Sequence, residues 1–142
     1  MDKYLMDKPM VEKAVMFIGV VGSLLAVMGG FHPFCQIDLS GNKENIYYII
    51  NHGKIKAGAI VAILALVCIV FILMEKYKVV LITAAVALFK TMYDLHNFKT
   101  NNVYFIHVDL GFLFITVGLF MVICSAVLAI VKKVGSEKIS KN

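Results

Sequence analysis

The chain has no arginine and no tryptophan, only two prolines and three cysteines, and charged residues make up just 16% of its 142 positions. Without arginine it lacks the planar, five-donor fork that dominates recognition of nucleic-acid phosphates, so nucleic acid is not an expected partner. Three cysteines with no CxxC pair exclude a disulfide framework and the usual zinc spacings. Two prolines leave no room for a proline-rich linker. The shortage of charge is the most telling of these. Soluble domains average about 25% charged and about 45–50% apolar residues, whereas 61% of this chain is hydrophobic. A water-soluble core cannot hide that surplus.

Four stretches approach the roughly 20 apolar residues needed to cross a hydrocarbon layer about 30 Å thick. They are Ala14–Phe34, Ala57–Met74, Val79 to about Leu95 or Phe98, and Val108–Val131. No barrel-like alternation is present, and open sheets cannot sit in lipid with unpaired edges. The expected fold is an all-α membrane protein: one antiparallel four-transmembrane-helix bundle over residues 1–142, with helices at about 11–32, 55–75, 78–97 and 105–132 and outer loops at about 33–54 and 98–104. The first span is too long for the apolar core of a cleaved signal, and similar spans follow it. Lysine placement sets the orientation. Lys3, Lys8, Lys13, Lys76, Lys78, Lys132, Lys133, Lys138 and Lys141 fall on one side, against Lys43, Lys54, Lys56, Lys90 and Lys99 on the other. Both termini are therefore expected in the cytoplasm, with the chain in an inner or plasma membrane. The short Met74–Lys78 connection makes the second and third spans antiparallel neighbours.

Lipid-embedded helices associate through close backbone approach rather than hydrophobicity. Gly19, Ser23, Ala26 and Gly30 form one small-residue stripe on the first span, with Gly22 beside it. Gly58, Ala62 and Ala65 do the same on the second, and Gly111, Gly118 and Ser125 recur every seven residues on the fourth. Such stripes serve either as packing seams within one bundle or as a seam between copies, so a homo-oligomer stays open.

The outer loops read as a small cap. Pro33 lacks an N–H and is expected to end the first helix. Cys35, Ile37 and Leu39 alternate with Gln36, Asp38 and Ser40, the pattern of a strand with one apolar face. Gly41-Asn42 is a turn pair, and Asn45–Ile50 is either the return strand or an interfacial turn. Asn51-His52-Gly53 marks another turn. Residues 103–107 alternate too, so the segment is either a short strand or the start of a helix from Asn102. Two strand-forming loops would make a hairpin or small sheet over the bundle.

The residues Gly30, Pro33 and Phe34 at the end of the first span, Gly53-Lys54 before the second and Tyr93-Asp94-Leu95 closing the third resemble a pattern found in small four-span bacterial membrane proteins. The resemblance covers roughly residues 14–130, with His32 standing where that pattern has an aliphatic residue. It implies the architecture and supplies no catalytic residue.

Lys90 lies eleven residues beyond Val79, about 16 Å along a helix axis. A charge at such depth costs at least a few kcal/mol, so it needs a partner. Asp94, four residues on, shares its helical face. Asp109 falls at a similar depth at the start of the fourth span, with Tyr93, Thr91, His96 and His107 near. The expected site is therefore a polar cluster of Lys90, Tyr93, Asp94, His107 and Asp109, open to the outside, together with Asp38, Tyr47 and Tyr48 on the cap. The cluster could fix the register of two helices, with the lysine free to snorkel outward. It could instead carry ions or protons, or floor a pocket for a partner. His32, Cys35, His96 and His107 are the candidate metal ligands, though none has dedicated-site spacing. No cofactor is expected, and no nucleophile–base pair or nucleotide fingerprint appears. Cys68 and Cys124 read as fillers within spans. The resulting expectation is a non-enzymatic membrane protein that binds a membrane protein, peptide or pore-forming toxin from outside, as an accessory subunit or, by analogy with other small four-span proteins, an immunity protein. The alternative is a small oligomeric channel or proton-coupled carrier using Lys90, Asp94 and Asp109, for which broken helices and inverted repeats are missing.

Overall fold

Helices form where the apolar runs lie and stop where glycine, turn residues or strand alternation take over. The computed structural model describes residues 10–39, 42–51, 54–55, 58–101 and 106–139. Four helices dominate: α1 (Met10–Gly29), α2 (Gly58–Leu73), α3 (Tyr77–Asn101) and α4 (Leu110–Ile139). Between them run the strands β1 (Pro33–Leu39), β2 (Asn42–Tyr47), β3 (Ile50–Asn51), β4 (Lys54–Ile55) and β5 (Ile106–Val108). Gly41, His52 and Gly53, which the sequence places in turns, and Asn102, the alternative start of the fourth helix, lie outside the described residues.

The helices pack in a ring, α1 against α2, α2 against α3, α3 against α4 and α4 against α1. Neighbours run antiparallel: Gly29 meets Gly111, Gly22 meets Gly118 and Gly19 meets Ser125 along the α1–α4 seam. α1, α3 and α4 are long and apolar enough to cross a membrane, while α2 is a shorter apolar helix. Its 16 residues rise about 24 Å.

Several boundaries differ from the sequence expectation, each for a local reason. α1 stops at Gly29, not near residue 32, because Gly30, Phe31 and His32 close a turn onto the carbonyls of Val27, Met28 and Gly29. Pro33 opens a strand instead of ending the helix, as the first residue of a strand tolerates proline. α2 starts later than residue 55 because Lys54 and Ile55 pair with β3. α3 runs on to Asn101, with Thr100 Oγ1 donating to the carbonyls of His96 (3.1 Å) and Asn97 (3.2 Å) in the last turn, where Lys99 also complements the helix dipole. The fourth helix does not begin near 105: residues 106–108 are strand, and Asp109 precedes the first helical residue.

The strand reading of the loops therefore holds for both. β1 is the middle of a three-stranded antiparallel sheet ordered β2-β1-β5. Its register with β2 shifts between Pro33 and Cys35, leaving Phe34 as the extra residue. A bulge of this kind re-aims side chains, and here the consecutive Phe34 and Cys35 are both buried. The sheet sits at the end of the bundle where α1 and α3 finish and α4 starts. The α2–α3 turn lies at the opposite end, near Glu12 of α1 and Lys132 of α4.

Large apolar side chains cover the outside of the bundle as well as filling its core. Phe17, Leu24, Ile63, Val86, Phe89, Val117, Phe120 and Leu128 are all exposed, whereas Ser23, Thr91 and Ser125 are buried. Each buried hydroxyl is hydrogen-bonded to a backbone carbonyl: Ser23 to Gly19, Thr91 to Ala87, and Ser125 across the seam to Val15 at 2.7 Å. Inside, one apolar cluster centred on Phe34, Tyr48, Ala65, Ile115 and Leu119 lies towards the sheet. A second, around Met16, Cys68, Ile72, Val80 and Val122, lies towards the other end.

Candidate functional site

The helical spacing of Lys90 and Asp94 delivers the contact it implies. Lys90 Nζ donates to both carboxylate oxygens of Asp94 at 2.5 Å. The pair is partly sheltered, with side-chain exposures of 28% for the lysine and 17% for the aspartate. A third member comes from the segment between β2 and β3: the Tyr48 hydroxyl donates to Asp94 Oδ2 at 2.6 Å. The tyrosine ring is buried and stacks on Phe34, with ring centroids 4.3 Å apart and planes 12° from parallel. Phe34 in turn meets Phe112 of α4 edge-on. Burial, and then the hydrogen bond to Asp94, hold the Tyr48 phenol protonated well above the ordinary tyrosine range. The phenol is thus a fixed donor.

Gly58 makes room for this arrangement. A Cβ there would fall 2.3 Å from the Tyr48 carbonyl oxygen and 2.4 Å from its ring. The first residue of α2 thereby seats Tyr48 against α3.

Asp109 has other partners than the expected Lys90–Asp94 cluster. Its carboxylate accepts from Gln36 Nε2 of β1 at 2.8 Å and from the backbone N–H of Leu110 at 2.7 Å, and its own N–H donates to Phe34 O at 3.1 Å. It fastens β1 to the start of α4, an anion at the positive end of a helix dipole. The polar cluster read from the sequence is therefore two groups: Tyr48–Lys90–Asp94 and Gln36–Asp109. Tyr48 is corrected in the same step, because it is not a surface residue of the cap but an interior one. The parity of β2 carries the signal: Ile46 is turned partly inward and Tyr47 outward, so Tyr48 follows Ile46.

The remaining candidates are dispersed. Tyr93 and Tyr47 are exposed, as are His96 and His107. His107 pairs with Gln36 in the sheet. Asp38 lies opposite Lys43 in the β1–β2 register. His32 is exposed and sits edge-on to Phe114. Cys35 is buried, and burial, with the charge of Asp109 adding to it, pushes its thiol pKa up to about 11, away from the thiolate a metal needs. Among the described residues no three His, Cys, Asp or Glu side chains converge as a metal site, and every buried side-chain nitrogen or oxygen has a hydrogen-bond partner.

What this arrangement can do is mechanical. A neutral ion pair with a phenol attached spans α3 and the loop leaving β2, and it closes on itself. Comparison with protein-family models, with curated proteins and with solved structures finds no match to this chain.

Proposed function

We propose that the chain is an integral membrane protein whose four helices all cross the bilayer, with the sheet at the outer end and the α2–α3 turn in the cytoplasm, and that it works by binding a protein partner at the sheet. One observation carries the membrane reading: only about a third of each long apolar helix window is buried within the bundle, and what is left exposed is large aliphatic and aromatic side chains. Water would make so large an apolar surface an aggregation site; hydrocarbon accepts it. The shorter α2 is accommodated by its neighbours and by local thinning of the bilayer, at a modest cost.

The binding reading rests on the sheet end. β2 is an edge strand, and its Lys43, Asn45 and Tyr47 face outward. An edge strand carries unpaired backbone donors and acceptors that a partner can satisfy, and the exposed Tyr47 is of a residue type enriched at recognition surfaces. In this reading Lys90, Asp94 and Tyr48 hold the platform, and the partner touches the platform, not the ion pair. An accessory subunit and an immunity protein are both roles of this kind. The chain acts without catalysis.

Three measurements test it. Single cysteines at Asn45 and Lys78, in a background with Cys35, Cys68 and Cys124 replaced by alanine or serine, are expected to label with a membrane-impermeant maleimide from opposite sides of sealed vesicles; labelling from one side removes the even-span topology. A photocrosslinker at Asn45 is expected to trap one defined partner in cells that a crosslinker at Ile82 does not. Proton or ion flux through liposomes containing the protein, abolished by Lys90→Met, would replace the binding reading with a transport one.

A further inference from the structure

At the end of the bundle opposite the sheet, a groove of about 440 Å³ runs between the α2–α3 turn, the start of α3 and the end of the membrane-length part of α4. Its rim carries Lys76, Lys78 and Lys133, against a single carboxylate, Glu75. Its floor is apolar, made by Val79, Ala129 and Ile130. The neighbouring Lys132 is engaged differently: it pairs with Glu12 at 3.3 Å beside a smaller cavity of about 280 Å³. The two consecutive lysines at the end of α4 thus split, one neutralised against α1 and the other left on the groove.

The contrast with the other end matters. The intramembrane Lys90 is neutralised by Asp94, whereas Lys76, Lys78 and Lys133 have no ion-pair partner among the described residues. The Met74–Lys76 turn is held tight by Glu75 in a left-handed conformation (φ 57°), with Glu75 N–H bonded to Ile72 O and Lys76 N–H to Phe71 O. This turn sets Lys76 and Lys78 at the very start of α3, across the groove from Lys133.

From this we infer that the groove binds the headgroup of an anionic phospholipid, its phosphate held by Lys76, Lys78 and Lys133 and the first part of an acyl chain laid on Val79, Ala129 and Ile130. The inference rests on the membrane-spanning reading above. Cationic rim and apolar floor match the two halves of one amphiphile, and the floor leads onto the exposed Ile82 and Val131, which hydrocarbon would cover. A free phosphate ion would use the rim alone.

The test uses the full chain reconstituted in vesicles of mixed phosphatidylcholine and phosphatidylglycerol, then extracted in mild detergent, with retained lipid counted by mass spectrometry. The wild type is expected to retain phosphatidylglycerol preferentially. The variant K78Q/K133Q is expected to lose that preference by about twenty-five-fold, about fivefold for each lysine near an anionic surface. The variant K43Q/K99Q, altered at the sheet end, is expected to keep it. Equal retention of the two lipids, an unaffected K78Q/K133Q variant, or an equal loss in K43Q/K99Q overturns the site. Displacement of the lipid by excess inorganic phosphate overturns it too, in favour of a free-phosphate site. If the chain fails to enter vesicles at all, the membrane-spanning reading falls; if it enters and shows no headgroup preference, only the groove falls.

Discussion

Where α1 meets α4 the contact is backbone on backbone; where α3 meets the sheet end it is a lysine, a carboxylate and a phenol. In the first, a Cβ placed on Gly22 would fall 2.6 Å from Gly118 O, and one on Gly118 would fall 2.5 Å from Gly22 O. Nothing there can rotate out of the way. In the second, a flexible lysine meets a carboxylate and a seated phenol, and the geometry of Lys90, Asp94 and Tyr48 is set by charge and hydrogen bonding. The α1–α4 seam is thus limited by volume and the α3 junction by charge balance. This follows from the hydrocarbon setting proposed for the bundle, where apolar burial contributes little to helix association, leaving close packing and satisfied polar groups to do the holding.

The contrast can be broken most strongly at the seam. Gly118→Leu should push α1 and α4 apart, and even Gly118→Ala should cost about 1–3 kcal/mol, because the added methyl meets backbone. Denaturant unfolding in detergent measures it, and no second apolar substitution nearby should rescue it. A Gly118→Ala protein as stable as wild type would mean the helices do not approach this closely.

At the α3 junction the expected loss is similar or smaller but of another kind. Asp94→Ala leaves an ammonium and a phenol without their acceptor, costing about 1–3 kcal/mol. Replacing both partners, as Lys90→Met with Asp94→Leu, should recover most of that, since removing a sheltered ion pair whole is far milder than removing half of it. If the double variant is as unstable as the single one, charge balance is not what limits this contact.

Two smaller effects sharpen the comparison by lying outside both contacts. Glu75 adopts the left-handed conformation that costs a non-glycine residue roughly 1–2 kcal/mol. Glu75→Gly should therefore stabilise the protein by about 1 kcal/mol and leave both seam and junction variants ranked as before. The second is a pH effect at Cys35, whose folded-state pKa of about 11 lies above its ordinary value of 9.0. Between those values the unfolded chain releases a proton that the folded chain keeps. Stability from this group is therefore complete below pH 9 and declines as pH rises towards 11. Cys35→Ala should flatten that slope, which pH-dependent unfolding in detergent would show.

Much of this arrangement can be read from residue order. The four apolar runs become the four helices, the seven-residue recurrence of Gly111, Gly118 and Ser125 becomes one face of α4, and Gly19 and Ala26 of the expected stripe, with Gly22 beside it, become the face it meets. Gly30 does not belong to that seam: it lies beyond the helix end, beneath Ile49. Its place is taken by Gly29, because the turn after α1 starts one residue earlier than the stripe implies. On α2 the buried face runs through Gly58, Val61, Ala65, Cys68 and Ile72, with Ala62 at its edge and only partly covered. The Lys90–Asp94 pair was legible because four residues return to the same helical face.

What could not be read was which distant groups join these local patterns. A spacing of four within one helix fixes Asp94 beside Lys90, but Tyr48 and Asp94 are 46 positions apart, and Gln36 and Asp109 are 73 apart. Similar depth in a membrane argued for Asp109 beside Lys90; depth says nothing about position around the bundle. The bulge at Phe34, the seat that Gly58 makes for Tyr48 and the order β2-β1-β5 settled it instead. The apolar runs and the helical periodicity are properties of neighbouring residues, so sequence alone determines them. The choice of partner for each buried polar group is a property of how the helices and strands meet, and only the folded chain decides it.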